Sequence, residues 1–81
     1  MARQQMLEDF VSLIGRAILR ERRRAGKSQE DLAYEAQMSV RHLRELEQGR
    51  ANPTVETLCR LAETLGVPVN VLFEEKRRAQ R

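Results

Sequence analysis

Tryptophan is absent from this 81-residue chain, which has only two phenylalanines and one tyrosine. A core built with so few aromatics must be aliphatic, drawn from Leu, Ile, Val and Ala. A single cysteine, Cys59, excludes an internal disulfide, and one histidine with no cysteine cluster beside it offers no metal site. Long apolar runs are missing too. No stretch approaches a membrane span, and the opening MARQQMLEDF lacks the apolar centre of a signal peptide. The expectation is a cytoplasmic protein without a membrane partner. Runs of β-branched residues are short, which argues against a sheet. No cluster of acids stands with a base, so the chain reads as neither an enzyme nor a cofactor protein.

What is present suits a small helical protein. Apolar residues make up 41% of the chain and charged residues 33%. The net charge is +3 and the sequence pI is about 9.8, which permits an anionic partner. Eighty-one residues suffice for one domain, here 1–81 with a core over about 10–73 and a charged, frayed tail at 74–81. A core of this size is small, and a dimer would supplement it.

Periodicity and caps divide the chain into five short helices, an all-α bundle. The first starts at about Gln4 or Asp9 and runs to Arg24, with Phe10, Ile14, Ala17 and Ile18 sharing an inward face beside Leu13. Its end, RERRR, reads as a solvated terminus, and Gly26 as its stop. Ser28 caps a second helix ending near Ala36, with Asp31 in the position of a capping-box acid. Ser39 caps a third, stopped by Gly49. Thr54 caps a fourth, with Val55, Leu58, Leu61, Ala62 and Leu65 inward, Cys59 buried beside them, and Gly66 as its stop. Pro68 opens a last short helix. Tyr34 is expected at the core edge and His42 as a packed side chain.

The third helix separates sharply around its axis. At about 100° per residue, Leu43 and Leu46 face inward, flanked by Ser39 and Glu47. Arg41, Glu45 and Gln48 fall opposite, with Arg44 beside them and Val40 and His42 at the borders. Such a face is often merely solvated. Its residue types are also those that read base edges: arginine spans two acceptors of guanine, glutamate accepts from cytosine and valine touches a thymine methyl. Two short helices joined by a tight turn, followed by a polar loop, form a helix-turn-helix pattern.

The stretch SQEDLAYEAQMSVRHLRELEQGRANPTVETLCRLAETLGV resembles the Cro/C1-type (XRE-type) helix-turn-helix domain of phage repressors and their bacterial relatives. The resemblance rests on SQEDLA, the turn MS, the leucines of HLRELEQG, the NPT loop, and LCRLAETLGV followed by VNVLF. It covers about residues 10–73 and implies a compact, five-helix, lambda-repressor-like fold. Gln37 departs from the pattern, since many relatives have glycine at this turn, which can need a positive φ.

The resemblance also implies residue roles. Base-reading positions fall on Val40, Arg41, Arg44 and Glu45. Phosphate contacts fall on Gln29, Ser39, Arg50 and Asn52, with Lys27 and Ser28 as neighbours, and Arg22 turned toward phosphate by an ion pair with Glu47. The implied function is sequence-specific binding of double-stranded DNA by a homodimer on a palindromic operator. Its regulatory leanness is similar to restriction–modification controller proteins. Val69, Val71, Leu72 and Phe73 would supply the dimer interface, because Leu72 and Phe73 look poorly covered in one copy. Blocking RNA polymerase would give repression. The alternative is an antitoxin-like or adaptor protein whose partner is another protein.

Overall fold

The computed structural model describes residues 2–76. Four α-helices follow one another: α1 (Ala2–Arg24), α2 (Gln29–Glu35), α3 (Val40–Glu47) and α4 (Val55–Leu65). The expected fifth helix is a 3-10 helix over Val69–Phe73, one short turn entered from Pro68. The all-helical expectation holds, and no strand occurs among the described residues. The charged-tail reading falls largely on residues 77–81, outside the described residues.

Local chemistry starts the three inner helices where their caps predict. Ser28 Oγ accepts from Asp31 N at 2.9 Å, Ser39 Oγ from His42 N at 3.0 Å, and Thr54 Oγ1 from Thr57 N at 3.1 Å. All four α-helices end the same way. A backbone N–H beyond each end reaches back five residues: Lys27 to Arg22, Met38 to Ala33, Arg50 to Glu45, and Val67 to Ala62. This closing turn needs one left-handed residue. Glycine takes it three times, and Gln37 takes it after α2 with φ 60°. The side chain at Gln37 costs about 1–2 kcal/mol relative to a right-handed backbone.

α1 begins at Ala2, two residues ahead of the predicted start at Gln4 and seven ahead of that at Asp9. Gln4 Nε2 donates to Glu8 and Gln5 Nε2 to Asp9 across one turn, so Asp9 braces the helix instead of capping it. These first turns overhang the bundle. Phe10 is therefore 47% exposed, not inward as its spacing with Ile14 suggested. The core lies below it, where Ile14 and Ile18 of α1 meet Leu32, Leu43, Leu46, Leu58 and Leu61.

Several other side chains sit differently from the sequence reading. Val55 is 75% exposed and Cys59 is also exposed, because α4 turns the Leu58, Leu61, Ala62 and Thr57 side inward. Tyr34 projects into solvent, on the side of α2 away from Leu32 and Ala33. Leu72, expected at a surface, is fully buried against α1 and α4. RERRR is not simply solvated. Glu21 continues the Ile14–Ile18 stripe and is as buried as the leucines. Its carboxylate accepts from Arg20 Nε at 2.9 Å and from Arg24. Burial pushes its pKa up, but the hydrogen bonds and charges of Arg24 and Arg20 outweigh that and hold it below the usual carboxylate range. Arg20 continues to the carbonyls of Val71 and Glu74, both at 3.1 Å, and so fastens the 3-10 helix to α1.

Candidate nucleic-acid interface

The position of α3 is set from beneath. Leu43 and Leu46 are almost wholly buried, while Arg41 and Gln48 are exposed and Arg44 and Glu45 reach solvent. Val40 is split between the two, partly buried against the core. The last turn of α3 presses on Gly15 of α1. A Cβ there would lie 2.3 Å from the Leu46 carbonyl oxygen and 3.0 Å from that of Glu47. A glycine in mid-helix is unfavourable by itself. Here it permits the close approach of two backbones, a role no periodicity signals.

Glu47 then locks α3 to both preceding helices. Its Oε2 accepts from Arg22 Nε at 2.7 Å and its Oε1 from Arg22 Nη2 at 3.1 Å, a two-bond fork. The Arg22 and Glu47 side chains are only 12% and 4% exposed. Arg22 Nη1 donates to the Lys27 carbonyl at 3.0 Å. Three of the five N–H groups of Arg22 are thus engaged inside the protein. The geometry makes Arg22 a brace between α1 and α3, with little of it left to face a phosphate.

Gln29 extends the chain of contacts to the surface. Its Nε2 donates to Glu47 Oε1 at 2.9 Å, and its Oε1 accepts from Arg44 Nε at 3.1 Å. The amide has no freedom to flip, because a carboxylate only accepts and a guanidinium only donates. One N–H of Gln29 remains for an outside acceptor. Arg44 Nη2 also reaches Glu30 Oε2 at 3.3 Å, a contact across two helices that no single helix wheel contains. Arg41 pairs with Glu45 at 3.4 Å along α3.

The remaining predicted residues ring this face. Ser28 and Ser39 are exposed and spend their hydroxyl oxygens on caps. Lys27 Nζ lies 2.8 Å from Glu35. Arg50 and Asn52 are exposed in the loop after α3. Val69 and Val71 are half-buried, and Phe73, 37% exposed, stacks on Phe10 with ring centroids 5.8 Å apart. The structure therefore gathers Arg22, Gln29, Arg44 and Glu47 into one connected set, adds Glu30, and removes Leu72 from any surface.

No group of three or more His, Cys, Asp or Glu side chains fit to hold a metal occurs among the described residues. No described helix is long and apolar enough to cross a membrane.

Known proteins share this fold. The helix-turn-helix family HTH_3 matches residues 18–72. An HTH-type transcriptional regulator of Sinorhizobium fredii, y4dJ, is 44% identical over 59 residues, 73% of this chain and 77% of that protein. The HTH-type transcriptional regulator DdrOP3 of Deinococcus deserti is 49% identical over 57 residues, 69% of this chain. The match spans 44% of DdrOP3's own length. Among solved structures, the restriction-modification controller protein C.AhdI of Aeromonas hydrophila superposes with a TM-score of 0.76 at 25% identity, over 78% of this chain and 96% of that one. The clp gene regulator ClgR of C. glutamicum gives 0.75 at 31% identity, over 78% and 82%. A family match over most of the chain, spanning α2, the turn and α3, makes this protein a member of the Cro/C1-type helix-turn-helix family of transcriptional regulators.

Proposed function

We propose that the protein is a sequence-specific DNA-binding regulator that acts as a homodimer and reads a palindromic operator with α3. The observation that carries this reading is the division of α3 itself. Its inner side is held by Leu43, Leu46 and the Arg22–Glu47 fork, while Arg41, Arg44 and Glu45 stand on the outer side. In such an arrangement Arg41, Arg44, Glu45 and Val40 contact base edges. Gln29, Ser39, Lys27, Ser28, Arg50 and Asn52 fall where the duplex backbone would pass. Phosphate contacts supply most of the affinity, and the base contacts supply choice.

Support for a homodimer comes from an uncovered apolar face. Leu7, Phe10, Val11, Val55, Leu58 and Phe73 line a groove of about 420 Å³ with no charged side chain in its wall. Met6, 66% exposed, lies one turn ahead of Phe10 on the same overhang. Apolar knobs and groove therefore share one face, the condition for a closed two-fold contact with a second copy. Of the expected interface of Val69, Val71, Leu72 and Phe73, this keeps Phe73, drops the buried Leu72, and adds Phe10 and the overhang of α1. Phe10→Ala and Phe73→Ala are each expected to shift sedimentation toward the monomer. An unchanged dimer in both would place the interface elsewhere.

The reading is tested by selection from a random duplex pool at moderate salt. The expected product is a two-fold motif with half-sites one turn, about 34 Å, apart. Arg44→Ala and Arg41→Ala should each lose on the order of 1–3 kcal/mol of discrimination at one base pair per half-site, with unchanged stability. Retention without any motif would overturn the reading and favour a protein-binding module.

A further inference from the structure

Arg44 stands on the outer side of α3, yet its guanidinium points back to the start of α2. Two groups hold it there, and they differ in kind. Gln29 is itself anchored, since its amide is fixed by the buried Arg22–Glu47 pair, and it takes Arg44 Nε. Glu30 is 65% exposed at its side chain and meets Arg44 at Nη2. With Nε occupied, the edge of Arg44 left to read a base is the one carrying Nη1 and Nη2. Glu30 Oε2 is hydrogen-bonded to Nη2, one of the two nitrogens of that edge.

We propose that Glu30 is a specificity-determining residue of the DNA interface, positioning Arg44 and competing with DNA for its Nη edge. The inference rests on the base-reading role of Arg44 given above. Its chemistry is an exchange of acceptors. To engage DNA through this edge, Arg44 must turn Nη2 from, or share it with, a carboxylate, an ionised acceptor. Guanine replaces it with two acceptors, O6 and N7, in the spacing of the Nη pair. Other bases return at most one acceptor in register and do not offset the loss. A phosphate oxygen would draw Arg44 away on any sequence, but the Glu30 charge opposes a close approach of the duplex there. Glu30 thus lowers affinity for all DNA and lowers it least where guanine stands opposite Arg44. Because the pair is exposed, it matters little to the fold, and its effect lies in binding.

The test is a double-mutant cycle read in DNA binding. Wild type, Glu30→Gln, Arg44→Ala and the double variant are titrated by fluorescence anisotropy. The probes are the duplex recovered by selection and a scrambled duplex of equal length. Glu30→Gln is expected to tighten binding to the scrambled duplex more than to the selected one, so that their affinity ratio falls about fivefold, the scale of one charged contact exchanged. In the Arg44→Ala background the same change should move both duplexes by equal factors. If Glu30→Gln shifts both duplexes equally with Arg44 present, Glu30 is a repelling charge only and the proposal fails. If Arg44→Ala leaves the affinity ratio intact, the base-reading role of Arg44 fails instead, and the two failures are distinguished.

Discussion

Replacing Glu47 with alanine is expected to destabilise the protein by about 3–5 kcal/mol, the cost of leaving one member of a buried ion pair without its partner. The Arg22 side chain, only 12% exposed beside Glu47, would lose both bonds of its fork. Few charged side chains of α3 are so enclosed, which is why this one differs from the pairs of Arg41 with Glu45 and Arg44 with Glu30. Those are exposed and contribute well under about 1 kcal/mol each. A small domain has only about 5–15 kcal/mol in all, so the loss should be plain in urea unfolding as a lower midpoint at unchanged slope. The control is the double change Arg22→Met with Glu47→Leu. Removing both charges together should recover most of the stability, because the pair's own desolvation cost disappears with it. A Glu47→Ala midpoint within experimental error of wild type would mean that water reaches the fork in solution. Binding should suffer beyond stability. Gln29 loses its anchor and with it the orientation it imposes on Arg44.

Gly15→Ala is the second change with a large expected effect. On propensity alone alanine should stabilise mid-helix by about 1 kcal/mol. The structure reverses that sign. The new methyl would meet the Leu46 carbonyl oxygen at 2.3 Å and the Glu47 carbonyl oxygen at 3.0 Å, and both are backbone atoms in the closing turn of α3. They yield only if α3 moves off α1, which disturbs Leu46 and the Arg22–Glu47 fork together. Overpacking of this kind costs about 1–3 kcal/mol, and a clash with main chain belongs at the upper end. Thermal unfolding should show a fall of several degrees, and the displaced α3 should bind the selected duplex more weakly even below the transition. A raised unfolding temperature would show that the two helices stand farther apart than this contact requires.

Both predictions concern how α1 meets α3. Helical period put Glu47 beside the inward leucines and the resemblance paired it with Arg22, but the close approach at Gly15 was not legible in the chain. The ends of the helices were. Ser28, Ser39 and Thr54 act on an amide three residues away, and Gly26, Gly49 and Gly66 close turns spanning five. Interactions of that reach are written in consecutive residues. Gln37 belongs with them, since the turn needs a left-handed residue whatever its side chain. The inner side of α3 was legible for a related reason: eight residues in which Val40, Leu43 and Leu46 are the only apolar side chains, three apart, leave one orientation open.

Side chains whose fate depends on a second element were not legible. Phe10 has the spacing of a core residue but lies on turns of α1 that pass beyond the bundle. Val55 and Cys59 share that ambiguity on α4. Leu72 looked exposed near the end of a short helix, yet Arg20, held by Glu21, draws that segment onto α1. Glu21 reads as one charge among arginines until helix packing leaves it no water. The interface divides in the same way. Residues Arg41, Arg44 and Glu45 follow from the pattern of α3 alone. The coupling of Arg44 to Gln29 and Glu30, and of Gln29 to the buried pair, joins positions 14 to 18 residues apart. Short-range hydrogen bonding and helical period select the elements and their faces. Which faces meet, how closely, and which charges lose their water are decided when the helices pack, because burial is a property of neighbours that the local chain does not contain.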